Sequence, residues 1–202
     1  SATNTVRNGN GTAGAVLNAT SLAFADTAKL ALNIDPNSTY AVVSTTTLNS
    51  GTSGGGKITI DASSTSWLPG QYDLISYTGS IGGGGFSEFQ KGTITGLSGR
   101  QSAALTNASG VVALTISGDN PKWTGGVDGN WSNAVLASPK NWALITSGTP
   151  TDYVNGDIVL FDDSASTGLV NISSANVTPL STTFGNSTLD YEISSTGGFG
   201  IA

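Results

Sequence analysis

Apolar and polar residues alternate over short stretches along most of the chain. In "KLALNID" the apolar residues Leu30, Leu32 and Ile34 occupy every second position, which places them on one face of a β-strand. Similar stretches follow at "YAVVS", "KITID", "YDLISYTG" and "VVALTIS", separated by Gly, Asn, Asp and Ser. Because these residues supply turns and positive φ angles, the pattern predicts short strands joined by tight connections.

The second half of the chain repeats this pattern of short strands and turns at closer intervals. Strand-like segments recur about every 8–12 residues, a spacing typical of all-β stacks, at "DIVLFDD", "LVNIS", "LSTTF", "DYEIS" and "GFGI". Helical periodicity is almost missing, since residues 13–29 fit a helix only in part and polar residues interrupt the fit. We therefore expect an all-β protein.

Two arrangements of such strands are compatible with the pattern. Sandwich modules need hairpin turns throughout, whereas a solenoid stacks each strand on the next coil and points small or β-branched residues inwards. The chain has 27 serines, 27 threonines and few bulky apolar residues. This composition favours a β-solenoid, a stack of short strands, with β-sandwich modules as the alternative.

The strand pattern divides the chain into three parts. Residues 1–118 end in the strong strand "VVALTISG", residues 119–142 are rich in Trp and Gly, and the short-strand rhythm restarts over residues 143–202. We expect an N-terminal β domain, a connector and a C-terminal β domain in that order.

Composition removes many kinds of catalytic and binding chemistry. The chain lacks His, Cys and Met, which excludes a Ser–His–Asp triad, a thiolate nucleophile and zinc sites built from imidazole or sulfur. Its seven basic residues are scattered and its net charge is −6, so the sequence indicates no continuous basic surface that would bind the phosphates of a nucleic acid. No apolar run approaches the roughly 18 residues of a membrane span. We expect no enzyme, no nucleic-acid partner and no membrane span.

Acidic residues cluster in "TDYVNGDIVLFDD". Calcium binds several hard oxygen ligands at once, so Asp157, Asp162 and Asp163 are candidate calcium ligands, and calcium is the only cofactor that the sequence indicates. The spacing matches neither an EF-hand loop nor the glycine–aspartate nonapeptide repeat. Carboxylates that cap turns are therefore the favoured interpretation of the cluster. Glycoside hydrolysis needs two converging carboxyl groups, and the only glutamates, Glu88 and Glu192, lie far apart in the chain.

Three of the four tryptophans lie in the polar stretch 122–142, at Trp123, Trp131 and Trp142. Exposed indole rings present flat apolar faces on which sugars stack, so these residues are candidate glycan ligands. Several glycines and Asn130 lie beside them, and such residues suit tight turns that fold an indole over a core. Packing is the favoured interpretation, and glycan binding is the alternative.

The order of motifs over residues 67–202 resembles a known family. The segments "GQYDLISYTGSIGGGGF", "GRQSAALTNASGVVALTISG", "KWTGGVDGNW", "NGDIVLFDD", "TFGNST" and "YEISSTGGFGI" follow one another as in bacterial surface proteins with autotransporter-associated β-strand repeats. The resemblance implies a right-handed β-helix of the passenger type, exported to the extracellular face of gram-negative cells. The resemblance implies no catalytic motif that could be assigned to residues of this chain.

The strand pattern and the missing reactive side chains together predict a structural role. Exposed strand edges pair with incoming strands, and head-to-tail contact between copies gives an open filament. We expect an extracellular structural protein of the cell surface that associates with itself as a filament or surface-layer subunit. The N-terminal arm, residues 1–16, is expected to add to a neighbour's sheet. The alternative is an adhesin or carbohydrate-binding module that uses exposed tryptophans to bind surface glycans.

Overall fold

Strands dominate the computed structural model of the chain, which describes residues 4–8, 12–25, 27–55 and 57–202. Strands make up 45% of the chain and helix 2%, and the strands form a β-solenoid of about 7 turns. The all-β solenoid prediction is confirmed, and the sandwich alternative is wrong. The chain divides into two units, the first holding Ser1–Leu97 and Ser102–Ser117 and the second Ser98–Gln101 and Gly118–Ala202.

The first eight strands of the first unit alternate between two sheets, and the ninth lies in the same sheet as the eighth. Their bounds are β1 Asn4–Arg7, β2 Leu17–Ala23, β3 Ala28–Asn33, β4 Val43–Asn49, β5 Ile58–Ser63, β6 Gly70–Ser76, β7 Phe89–Thr95, β8 Ser102–Ala108 and β9 Val111–Ser117. One sheet has the parallel order β1-β3-β5-β7. The other sheet has the order β2-β4-β6-β9-β8. In it β2, β4 and β6 are parallel to one another, and β9 is antiparallel to both β6 and β8. This alternation is how a solenoid coil is built.

The core of the first unit follows from the period-2 pattern. Strands β3 and β5 bury every second residue, and their register places Leu30 directly on Ile60 and Leu32 on Ala62. All four of these side chains are buried. Because each inward residue stacks on an apolar residue of the next coil, small and β-branched side chains suffice to fill the interior.

The second unit is built on shorter strands. Their bounds are β10 Pro121–Trp123, β11 Trp142–Leu144, β12 Pro150–Thr151, β13 Ile158–Asp162, β14 Leu169–Ile172, β15 Ser181–Gly185 and β16 Glu192–Ser195. Strands β10, β13 and β15 are parallel and lie in one sheet. Strands β11 and β12 extend that sheet beyond β10 through antiparallel pairs. Strand β14 pairs in parallel with β16 in a separate sheet. The same offset of 23 residues separates Ile158 from Ser181 and Leu169 from Glu192, whereas Lys122 and its partner Leu160 on the preceding coil are 38 residues apart.

The division of the chain differs from the three parts expected. The second unit begins at Gly118, beside the expected boundary at residue 119. Residues 119–142 are not a separate connector, because β10 and the first residue of β11 are hydrogen-bonded within the second unit. The four residues Ser98–Gln101, which lie between β7 and β8 in the chain, also belong to that unit.

The N-terminal arm is paired within its own chain. Asn4–Arg7 forms β1, which lies parallel to β3 from Ala28 to Ala31. The structure therefore corrects the expectation that this part of the arm is donated to a neighbour, while residues 1–3 and 9–11 of the arm lie outside the described residues. Over the described ranges, no helix has the length and apolar character that crossing a membrane requires.

Candidate functional site

The three clustered tryptophans form the core of the second unit. Trp123 and Trp131 are 0% exposed and Trp142 is 3% exposed. Their ring centroids lie 5.1 Å apart for Trp123 and Trp142 and 5.5 Å for Trp131 and Trp142, both in edge-to-face geometry. The Nε1 of Trp123 donates to the carbonyl of Thr167 at 2.9 Å. The packing interpretation is confirmed, and the glycan alternative for these residues is corrected, because a buried indole offers no face to a sugar.

Asn141 holds the glycine-rich loop over these rings. Its Oδ1 accepts hydrogen bonds from the backbone N–H groups of Val127 and Asp128, both at 3.0 Å. Its Nδ2 donates to Asp128 Oδ1 at 2.7 Å and to the carbonyl of Asn130 at 3.0 Å. Hydrogen bonds, first from the Asn130 N–H, hold the pKa of Asp128 below its usual value. The role of Asn141 was not predicted from the sequence, although the dipeptide Asn-Trp occurs at both 130–131 and 141–142.

Asp157 is a buried partner of Arg100 rather than a calcium ligand. Its carboxylate accepts hydrogen bonds from Arg100 Nε at 2.6 Å, from a terminal guanidinium nitrogen at 2.9 Å and from Val154 N at 2.8 Å. The carboxylate is 1% exposed. Since N–H donors occupy both oxygens, a cation placed there would face a guanidinium at contact distance. The calcium assignment of Asp157 is therefore corrected.

Asp162 and Asp163 also bind protein donors. Asp162 accepts a hydrogen bond from Ser164 N at 2.9 Å and pairs with Lys122 Nζ at 3.3 Å. Burial raises the pKa of Asp162, but these contacts outweigh burial and leave it below its usual value. Asp163 accepts hydrogen bonds from the N–H groups of residues 187–189 on the next coil, which strongly lower its pKa.

These contacts correct the calcium assignment of Asp162 and Asp163 as well. Hydrogen-bond donors, which a cation would repel, fill the oxygen positions that calcium would need. Among the residues that the structure describes, no three acidic side chains converge in a way that would hold a metal ion. The turn-capping interpretation of the cluster is the one that fits the geometry.

The glycine-rich stretch 51–57 binds an anion supplied by its own chain. The backbone N–H groups of Gly54 and Gly55 donate to the two carboxylate oxygens of Glu88, each at 2.9 Å. Glu88 ends a short 3-10 helix, Gly85–Glu88, and is buried. The hydrogen bond from Gly55 N, followed by that from Gly54 N, lowers the pKa of Glu88. The two N–H groups therefore serve to stabilise the fold.

Edge strands bound the sheets of both units. Among the strands of the described residues, β15 has only β13 as a hydrogen-bonded neighbour and β16 has only β14 in the second unit, and β1 has only β3 and β2 has only β4 in the first unit. The backbone N–H of Leu180 donates to the carbonyl of Asp157 at 2.8 Å. Because hydrogen-bonding directions alternate along a strand, the N–H groups of Thr182 and Phe184 face β13, and that of Thr183 points away from it. The outer side of β15 therefore offers free donors and acceptors.

The last coil of the second unit exposes apolar side chains beside these edges. Phe184 stacks on the buried Phe161 with ring centroids 5.1 Å apart, yet Phe184 is 50% exposed. A depression of about 490 Å³ is lined by Phe184, Tyr191, Ile193 and two polar residues. Burial raises the pKa of Tyr191 to about 12. Inward-pointing apolar residues at a terminal coil are what a further β-coil would cover.

Opposite charges lie on edge strands of the two units. Glu192 is exposed on β16, and Arg7 is exposed on β1. Neither side chain forms an ion pair with another described residue.

Comparison of the chain with models of protein families, with curated proteins and with solved structures finds no match in any of the three. The resemblance to surface proteins with autotransporter-associated repeats therefore stays a prediction.

Proposed function

We propose that this protein is a structural subunit that associates with copies of itself head to tail through its strand edges. The observation that carries the proposal is the terminal coil of the second unit, where the free edges of β15 and β16 adjoin the half-exposed ring of Phe184. An edge of this kind is a template for pairing with another strand. A heterologous contact between different ends of identical chains builds an open filament.

The charged side chains favour this role over catalysis. Asp152, Asp157 and Asp162 each pair with a basic side chain, and Asp163 and Glu88 are held by backbone donors. These carboxylates are arranged to stabilise turns and coils. The proposal includes an extracellular location at a bacterial cell surface, which the family resemblance supports.

Replacement of Phe184 with Ser tests the proposed contact. The substitution removes the apolar surface of the terminal coil that a second copy would cover, so association should weaken by at least about tenfold. Sedimentation velocity over a series of protein concentrations measures the effect, and electron microscopy of the concentrated samples shows whether filaments form.

Val135→Ser is the matched control. Val135 is 86% exposed and lies in the loop between β10 and β11, which is not part of β15 or β16, so this variant should associate like the unchanged protein. A protein that sediments as a monomer at every concentration would contradict the proposal. Equal association of the Phe184→Ser and Val135→Ser variants would contradict the role of the terminal coil.

A further inference from the structure

An open groove crosses the outer surface of the sheet formed by β2, β4 and β6. It has a volume of about 520 Å³ and is lined by three residues from each of three coils, 18–20, 44–46 and 76–78. A second depression of about 390 Å³ shares Asn18, Ser44 and Ser76 with it and extends to Tyr40. We call this continuous surface the sheet groove. It lies entirely within the first unit.

Six polar side chains of the sheet groove have no hydrogen-bond partner within the described part of the protein. Those that form no side-chain hydrogen bond are Asn18, Thr20, Ser44, Thr46, Ser76 and Thr78. The outer surface of the neighbouring parallel sheet differs, because Lys29 pairs there with Asp61 and Gln90 Nε2 donates to Thr59 Oγ1 at 2.9 Å. The sheet groove therefore presents an array of free donors and acceptors.

One exposed tyrosine flanks these polar groups. Tyr40 is 54% exposed, whereas Tyr77 packs against the core of the first unit and its hydroxyl donates to Asn107 Oδ1 at 2.6 Å. Tyr40 therefore supplies the aromatic ring of the sheet groove. Aromatic rings give flat apolar contact area next to a polar group, and none of the described residues that line the groove carries a charge.

We propose that the sheet groove binds an extended neutral glycan. Hydroxyl and amide groups can both donate to and accept from sugar hydroxyls, while a tyrosine ring covers the apolar face of a sugar. Since none of its described lining residues is basic, these residues offer nothing that would select uronic acids or sulfated sugars. Strands of successive coils lie roughly 4.8 Å apart, so the polar groups repeat along the groove and suit a polymer better than a single sugar.

Affinity gel electrophoresis with soluble polysaccharides tests the proposal. The gels contain dextran, galactomannan or arabinoxylan as neutral probes, or alginate as an acidic probe. The unchanged protein should be retarded by at least one neutral polysaccharide and not by alginate. Tyr40→Ala should weaken that retardation about tenfold, because it removes an aromatic contact, and Tyr40→Phe should keep it.

Two lysine variants on β4 give a matched comparison. Thr46 and Thr47 are adjacent and exposed, but only Thr46 lines the groove. Thr46→Lys should abolish the retardation, and Thr47→Lys should leave it intact. The proposal is overturned if no neutral polysaccharide retards the protein, if only alginate does, or if the two lysine variants behave alike. Circular dichroism melting confirms that each variant is folded.

Discussion

The guanidinium of Arg100 neutralises a carboxylate that is almost completely buried. Asp157 is 1% exposed and takes two hydrogen bonds from Arg100, whose side chain also donates to Thr151 Oγ1 at 3.1 Å. Removing one partner of such a pair leaves a buried charge without compensation, which costs far more than the pair itself contributes. The stability of the second unit should therefore depend on this arginine.

We expect Arg100→Ala to lower the free energy of unfolding by about 3 kcal/mol, because Asp157 loses its counter-charge. Urea unfolding followed by tryptophan fluorescence measures the change. Lys91→Ala removes an exposed basic side chain that has no ion pair in the described structure, and should change stability by less than about 0.5 kcal/mol. Similar losses in the two variants would show that the buried pair is unimportant.

Single residues were the least predictable part of this molecule. Asp157 has the residue type and the turn context of a calcium ligand, but its partner Arg100 lies 57 residues earlier in the chain, and only the fold brings them together. The burial of the tryptophans was easier to predict, because their glycine and asparagine neighbours indicated turns that cover an indole. Sequence could not distinguish a carboxylate that binds a cation from one that caps a turn, since the deciding donors come from distant residues.

At the scale of elements, the alternating pattern predicted strands where inward residues are buried. Leu30, Leu32 and Ile34 alternate in the sequence and are all buried, and the stretch 17–23, which only partly resembled a helix, is strand β2. The antiparallel extension by β11 and β12 was not predicted. These strands have three and two residues, which is too short for a periodic signal.

Proline substitutions in β15 separate strand pairing inside the protein from pairing between copies. Thr183→Pro removes an N–H that points away from β13, so the fold should persist while association weakens. Thr182→Pro removes an N–H that faces β13, so it should destabilise the coil itself. Thermal unfolding and sedimentation velocity on both variants check the two effects. Unchanged association of a folded Thr183→Pro variant would exclude this edge as the contact.

At the scale of the whole molecule, the absence of histidine predicts a broad pH plateau of stability. The pKa values of Glu88, Asp128 and Asp163 are lowered in the folded state, chiefly by backbone hydrogen bonds. Their contribution is complete above the ordinary carboxyl pKa and is lost as pH falls through the lower folded value. Burial raises the pKa values of Tyr153 and Tyr191 to about 12, so their contribution is complete below pH about 10 and is lost as pH rises towards 12.

The midpoint of urea unfolding should therefore change little between about pH 5 and about pH 9, and should fall on both sides of that range. Unfolding curves at unit intervals of pH measure it. The Glu88→Gln variant provides the comparison, because its urea midpoint should fall less steeply as the pH is lowered below about 5. A sharp change near pH 6.5 would contradict the account, since no side chain in this chain ordinarily titrates there.

Hydrogen exchange at several protein concentrations tests most directly whether free strand edges hold copies of the protein together. Backbone amides of residues 181–185 and 192–195 should exchange more slowly as concentration rises, while those of β9, which is paired on both sides, should keep the same rate. Exchange at 181–185 and 192–195 that is independent of concentration in a sample that has associated would contradict association through these edges.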